Sequence, residues 1–272
     1  MNTSKHPTTD LSQRRRFTRR KLLLTLPGLV AGLLAGIAMA AEIKPGESMP
    51  LRVGVSPVFP PMVFKQGKEL AGVEVDLARA LGESLGRKVL FVELDWKDQT
   101  EALVAGKTDI IMSSMSMTMA RNAILSFTSP YFKIGQMALV RREDRNKHLL
   151  GVVIRPGSKV AVIKATTGDF LVQREFPKAS RKAFANGTEA ARALMKGSVE
   201  MFITDSTLVW YLAGTHAGDG LTAAPMPLTE EFLAWGVRRG NDELVTAANV
   251  FIDRANKDGT MMKIFRRWMA VE

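Results

Sequence analysis

Ser113, Ser114 and Ser116, followed by Arg121 five residues after the last serine, are the residues of this chain best suited to hold an anion. Small hydroxyls and free backbone N–H groups offer donors to a carboxylate, and a guanidinium at 121 would grip it in a two-pronged fork. The same spacing also suits a plain serine-rich loop with a surface arginine, so the surrounding elements must decide. Thr108-Asp109-Ile110-Ile111 precedes the serines, after the turn signal Ala105-Gly106-Lys107. That order predicts a short buried strand with the serines at its carboxyl end, where ligands of open α/β sheets collect.

The elements that must position this loop read as a βαβαβ series. Leu51 to Val55 alternates like a strand and stops at Ser56-Pro57-Val58-Phe59-Pro60-Pro61, whose prolines hold Phe59 in a rigid turn. Val73, Leu77, Ala80, Leu81 and Leu85 recur at helical spacing up to Gly86. A strand over Lys88 to Glu93, a loop holding Trp96 and a short helix over Asp98 to Val104 lead to the serine strand. Gln136 to Arg141 reads as a strand, and after a polar stretch a second series repeats this logic, beginning with a strand at Lys159 to Ile163 that opens a helix near Thr166-Thr167-Gly168-Asp169, followed by a helix over Thr188 to Lys196. Val199 to Thr204 then forms a strand that ends at Asp205 before a helix over Ser206 to Leu212. Phe232 to Arg238 reads as one more strand, and Asn241 to Ala255 and Gly259 to Met269 as amphipathic helices. Such a series favours a parallel sheet with right-handed crossovers.

A chain of 272 residues with 46% hydrophobic content can bury one or two cores. Residues 1–40 stand apart: seven basic residues against Asp10, an apolar run from Leu22 to Met39, and Ala38-Met39-Ala40 before Ala41. This is the pattern of a cleavable export signal, and Pro27, Gly28, Gly32 and Gly36 argue against a permanent anchor. Thr18-Arg19-Arg20-Lys21-Leu22-Leu23 suits twin-arginine export, and the general route stays open. Removing this segment lowers the formal charge from +11 to +5, with the remaining cations scattered among acids, which gives no support to nucleic-acid binding. No cysteine is present, which excludes disulfides, thiolate metal sites and a thiol nucleophile. His148 and His216 are isolated, so neither a metal nor another cofactor is expected. Met112, Met115, Met117 and Met119 fit packing positions.

The mature chain resembles the polar amino-acid-binding proteins of bacterial ABC transporters, extracellular solute-binding protein family 3. The resemblance rests on seven segments in order: Leu51 to Val55 with Phe59-Pro60-Pro61; Gly72 to Leu77; Ala102-Leu103 with Gly106 to Asp109; Ser113 to Arg121; Phe127 to Phe132; Val199 to Asp205; and Asp258-Gly259-Thr260. It implies two α/β lobes joined by two hinge strands with a ligand cleft between them. Residues 41–133 and 234–272 would build lobe 1 and residues 134–233 lobe 2. Carried over by position, Arg121 would hold an α-carboxylate with Ser114 and Ser116, Thr167 would close on it, and Asp205 would take the α-ammonium. Phe59 and Trp96 would sandwich the ligand side chain. A periplasmic monomer that delivers an amino acid to a membrane permease, powered by a separate ATPase, is the implied function.

Departures from the family pattern fall at Val73, usually aromatic, at Ala165, usually glycine, and at Met119 and Ala120, usually proline and an acid. Ser56 stands where binders of basic amino acids often carry an acid, which speaks against a basic ligand. Other roles remain for the same residues: Asp205 and either Thr166 or Thr167 are placed to cap the helices they precede, and Phe59 and Trp96 suit packing. Two rival functions remain as well, a detached amino-acid sensor and an enzyme on this scaffold resembling cyclohexadienyl dehydratases. The enzyme would need a general acid, for which Glu74, Asp169 and Asp205 are the available carboxyls.

Overall fold

The structure is a computed structural model that describes residues 48–149 and 151–269. The expected export signal at residues 1–40 lies outside the described residues.

The first series builds one five-stranded sheet. Strand β1 (Leu51–Val55) leads into β2 (Val58–Phe59), β3 (Val63–Gln66) and β4 (Glu69–Ala71), which form a small antiparallel sheet of their own. Sequence patterning misses this sheet because each strand is too short to alternate; Phe59 lies in β2 rather than in a bare turn. Helix α1 (Val73–Ser84) follows, then β5 (Val89–Glu93), α2 (Gln99–Val104), β6 (Ile110–Ile111), α3 (Met119–Asn122) and β7 (Leu125–Phe127). The chain then leaves this lobe through β8 (Phe132–Ile134).

The second sheet comes from the middle of the chain. Its strands are β9 (Gln136–Arg141), β10 (Lys159–Ile163), β11 (Ser180–Phe184), β12 (Met201–Asp205) and β13 (Leu221–Ala223), with α4 (Thr167–Glu175), α5 (Gly187–Met195) and α6 (Ser206–Thr215) between them. The return runs through β14 (Glu231–Leu233) to β15 (Gly236–Arg238), α7 (Asp242–Lys257) and α8 (Thr260–Trp268). The single strand expected over Phe232 to Arg238 is therefore two. Its apolar run is continuous because the linking Ala234 and Trp235 are themselves buried while the chain passes between sheets.

Both sheets share one plan. Sheet 1 is ordered β5-β1-β6-β15-β7 and sheet 2 β11-β10-β12-β9-β13; in each, three parallel strands are followed by one that runs against them and a fifth paired antiparallel to that one. Strands β8 and β14 pair antiparallel to each other, Glu231 opposite Ile134, and join the two lobes as hinge strands. The first strand of each series sits between the second and third, so the carboxyl ends of β1, β6, β10 and β12 lie at the switch points where α/β sheets bind ligands.

The core explains these elements. Val73, Val75, Leu77, Ala78 and Leu81 of α1 pack under sheet 1 with Val53, Ile110 and Val237. Gly72, at φ 119°, begins α1 where a Cβ would lie 2.5 Å from the Met62 carbonyl, so only glycine lets the helix start this close to the chain beneath it. Among the described residues no helix is long and apolar enough to cross a membrane.

Candidate functional site

The serine loop is pinned from below. Ser113 Oγ accepts the Ser56 N–H at 2.8 Å, tying the ends of β1 and β6 together. Ser114 adopts φ 56°, a left-handed conformation costly for a residue with a Cβ. Its N–H donates to Glu74 Oε1 at 2.8 Å, which offsets that cost. Glu74 has no exposed surface and also accepts from Tyr131 Oη at 2.6 Å and Trp235 Nε1 at 3.0 Å. Burial pushes its carboxyl up to about 7, against the pull of these donors. Glu74, one of the three carboxyls considered for a general acid, is thus buried in the first turn of α1 beneath the serine loop.

Arg121 stands on α3, whose first turn is capped by Thr118 Oγ1 accepting the Arg121 N–H at 3.2 Å. Its guanidinium donates through Nη1 to the Ser116 carbonyl at 2.7 Å and lies 5.0 Å from the centre of the Trp96 ring. Burial lowers its pKa, and Asp205 and Glu231 act in the opposite direction, so both acids are near enough to be felt. Trp96 meets Phe59 edge-on with ring centres 5.4 Å apart.

Lobe 2 supplies the facing wall. Thr166, not Thr167, caps α4: its Oγ1 accepts the Asp169 N–H at 3.4 Å. Thr167 Oγ1 accepts from Gln136 Nε2 at 3.0 Å, and the same amide donates to Asp205 Oδ1 at 2.7 Å. Asp205 precedes α6 yet makes no capping hydrogen bond. Its carboxyl is pushed up to about 7, first by burial and then by the Glu231 charge; Gln136, Arg121 and the Ser114 hydroxyl oppose this. That hydroxyl is buried and completes no hydrogen bond of normal geometry. Gln136 can reach both partners because Gly168, beside it, has no Cβ; one built there would lie 2.5 Å from Gln136 Oε1.

The lobes meet across this site. Trp96 Nε1 donates to the Ala165 carbonyl at 2.9 Å, and Phe64 packs on Tyr211 with ring centres 6.0 Å apart. Ala165, at φ 62°, adopts the left-handed conformation at the position expected to carry glycine; Asp169 Oδ2 holds it by accepting its N–H at 2.9 Å. Of the seven residues expected from sequence, contacts link Phe59 to Trp96, Trp96 to Arg121 and Arg121 to Ser116 in lobe 1, while Thr167 and Asp205 of lobe 2 share the Gln136 amide and Asp205 feels Arg121 and the Ser114 hydroxyl.

Two residues of the cleft escape sequence reasoning. Gln136 reads as the first residue of an apolar strand. Glu231 follows Glu230 in what looks like a polar turn, yet its Oε2 accepts the Ser116 hydroxyl at 2.6 Å and its Oε1 the Thr229 hydroxyl at 2.9 Å. The Ser116 proton is therefore taken, leaving its oxygen and backbone for other partners.

A site with a guanidinium and two hydroxyl-bearing residues on one wall and a carboxyl on the other suits a small molecule with opposite charges at its ends. Comparison with known proteins points the same way. The sequence model for bacterial extracellular solute-binding proteins, family 3, matches residues 51–271. The ABC transporter glutamine-binding protein GlnH of Bacillus subtilis (strain 168) is 27% identical over 74% of this chain and 73% of its own. A crystal structure of the ancestral amino acid-binding protein AncCDT-1, described as a precursor of cyclohexadienyl dehydratase, is 32% identical with a TM-score of 0.73, covering 81% of this chain and 95% of that one. An ancestral arginine-binding protein bound to glutamine is 30% identical with a TM-score of 0.73, covering 82% and 98%.

Proposed function

Since the chain belongs to the bacterial extracellular solute-binding proteins of family 3, we propose that it captures an α-amino acid between its lobes and presents the closed form to a membrane permease. Arg121 on lobe 1 and Asp205 on lobe 2 carry this reading: they are the opposite charges that the two poles of a zwitterion need once water is lost. Arg121 and the Ser116 N–H hold the α-carboxylate, and Asp205 with the Ser114 hydroxyl takes the α-ammonium. Phe59 and Trp96 cover the side chain, and Thr167 completes the lid. Charge-assisted bonds of this kind contribute about 1.5–3 kcal/mol each, and micromolar affinity needs about 8 kcal/mol, so a few bonds and aromatic burial suffice.

Closure follows from the division of labour. A ligand shifts the balance between open and closed forms only by binding one better, and Thr167 and Asp205 reach it only when the lobes meet. Trp96 adds a direct tie to Ala165. Trp96→Phe, which keeps the ring but removes that donor, is expected to weaken amino-acid affinity about fivefold, or ~1 kcal/mol, with little change in melting temperature. Equal affinity in calorimetry would mean that the tie plays no part in closure.

The signal-like pattern of residues 1–40 and the extracellular character of the family support work in the periplasm, and in this reading the protein acts as a monomer. As for the enzyme, Glu74 is sealed beneath the serine loop and Asp169 is held by Arg181 at 2.6 Å, which leaves Asp205 as the one candidate acid among the three. A thermal-shift screen against the common amino acids and prephenate tests the function. A rise of several degrees with one amino acid or a small group is expected. Turnover of prephenate would favour the enzyme instead.

A further inference from the structure

Resting on the amino-acid reading above, we propose that Glu231 is a specificity-determining residue that selects amino acids with a cationic side chain. Its place in the fold is fixed by the hinge: β14 pairs with β8, setting Glu231 opposite Ile134, next to the point where the chain enters lobe 2 at Gln136. On one side Ser116 joins it to Arg121, donating its hydroxyl to Glu231 at 2.6 Å while its carbonyl accepts from the guanidinium at 2.7 Å. On the other side Thr229 donates to Glu231 at 2.9 Å and accepts the Gln136 N–H at 2.9 Å, and the Gln136 side chain holds Asp205 at 2.7 Å. One chain of hydrogen bonds thus runs Arg121, Ser116, Glu231, Thr229, Gln136, Asp205 around the cleft.

Once the ligand ammonium has drawn Asp205 into its ionised form, the charges along that chain do not balance. Among the described residues neither Asp205 nor Glu231 forms a salt bridge, and Arg121 is the cation they share. An α-amino acid adds one positive and one negative pole, which engage Asp205 and Arg121 and leave one carboxylate over. An unmatched charge in a closing, drying cleft is costly, whereas a second cation on the ligand would match it. A neutral side chain leaves the surplus in place, and an acidic one enlarges it.

This reverses the expectation drawn from Ser56. The Ser56 hydroxyl is engaged, donating to the Leu94 carbonyl at 2.9 Å and accepting from Gln99 Nε2 at 2.9 Å, so no anion stands there. The hinge strand supplies one from another direction.

Calorimetric titration of the wild type, Glu231→Gln and Glu231→Asp with L-arginine, L-lysine, L-glutamine and L-glutamate tests this. The wild type is expected to bind arginine or lysine at least tenfold more tightly than glutamine, with glutamate weakest. Glu231→Gln should reduce the arginine-to-glutamine ratio at least tenfold, while Glu231→Asp, which keeps the charge, should preserve more of it. A wild type that favours glutamine or glutamate, or a ratio unmoved in Glu231→Gln, would overturn the proposal. Should the wild type bind none of the common amino acids, the functional reading itself falls, a separate outcome. Melting curves of both variants identify any loss of fold, and Glu231→Asp then carries the comparison.

Discussion

Replacing Arg121 by alanine is expected to weaken binding of every α-amino acid by at least about 100-fold, or ~3 kcal/mol, while leaving the melting temperature near that of the wild type. The guanidinium is the counter-ion proposed for the α-carboxylate, and removing one partner of a desolvated, hydrogen-bonded charge pair costs about 2–5 kcal/mol. Its structural duties are small by comparison: one bond to the Ser116 carbonyl and a face of Trp96. Arg121→Lys keeps the charge but loses the fork, so it should fall between the two. Calorimetry that finds alanine at 121 binding as well as arginine would remove the carboxylate pole from the account.

Asp205→Asn should cost about as much for amino acids, but far less for ligands that lack the ammonium, and it should also remove a pH dependence. Burial, and then the charge of Glu231, push the Asp205 carboxyl up to about 7. Arg121 faces it from lobe 1 and works the other way, with Gln136 and Ser114. An incoming ammonium favours the ionised form, so binding expels the carboxyl proton. Affinity is therefore expected to rise about tenfold per pH unit as pH approaches 7 from below, and to level off above it. With asparagine the profile should be flat over the same range. Equal losses for ligands with and without the ammonium would assign Asp205 a structural role only.

The two poles differ in how far they could be read from sequence. Arg121 is legible because the strand, the serine loop and the guanidinium are consecutive, so local spacing already brings them together. Asp205 is legible as the end of a strand, but sequence leaves its role divided between capping and binding; the structure has it accept from Gln136 rather than from the helix it precedes. Between Thr166 and Thr167 the same division is resolved by which hydroxyl faces the first turn of α4. Glu231 and Gln136 could not be found this way. What makes them part of the cleft is the pairing of β8 with β14, strands about a hundred residues apart, and no local pattern records that partner. Glu74 is visible as a carboxyl, but its burial is not, because that rests on contacts with Ser114, Tyr131 and Trp235, residues far along the chain. The fold itself was the more legible part, since both βα series announce their strands and helices. The exceptions are short strands such as β2, β4 and β7, and the exposed edge strand β11, whose Ser180-Arg181-Lys182 reads as a polar loop.

The most direct test of the central claim is calorimetric titration of the purified protein, unfolded and refolded to strip any carried ligand, with the common amino acids and with prephenate. One-to-one binding of one amino acid or a small related group is expected at micromolar affinity or better, with heat that ends at saturation. Absence of binding by every amino acid, or continuing heat with product formed from prephenate, would contradict it.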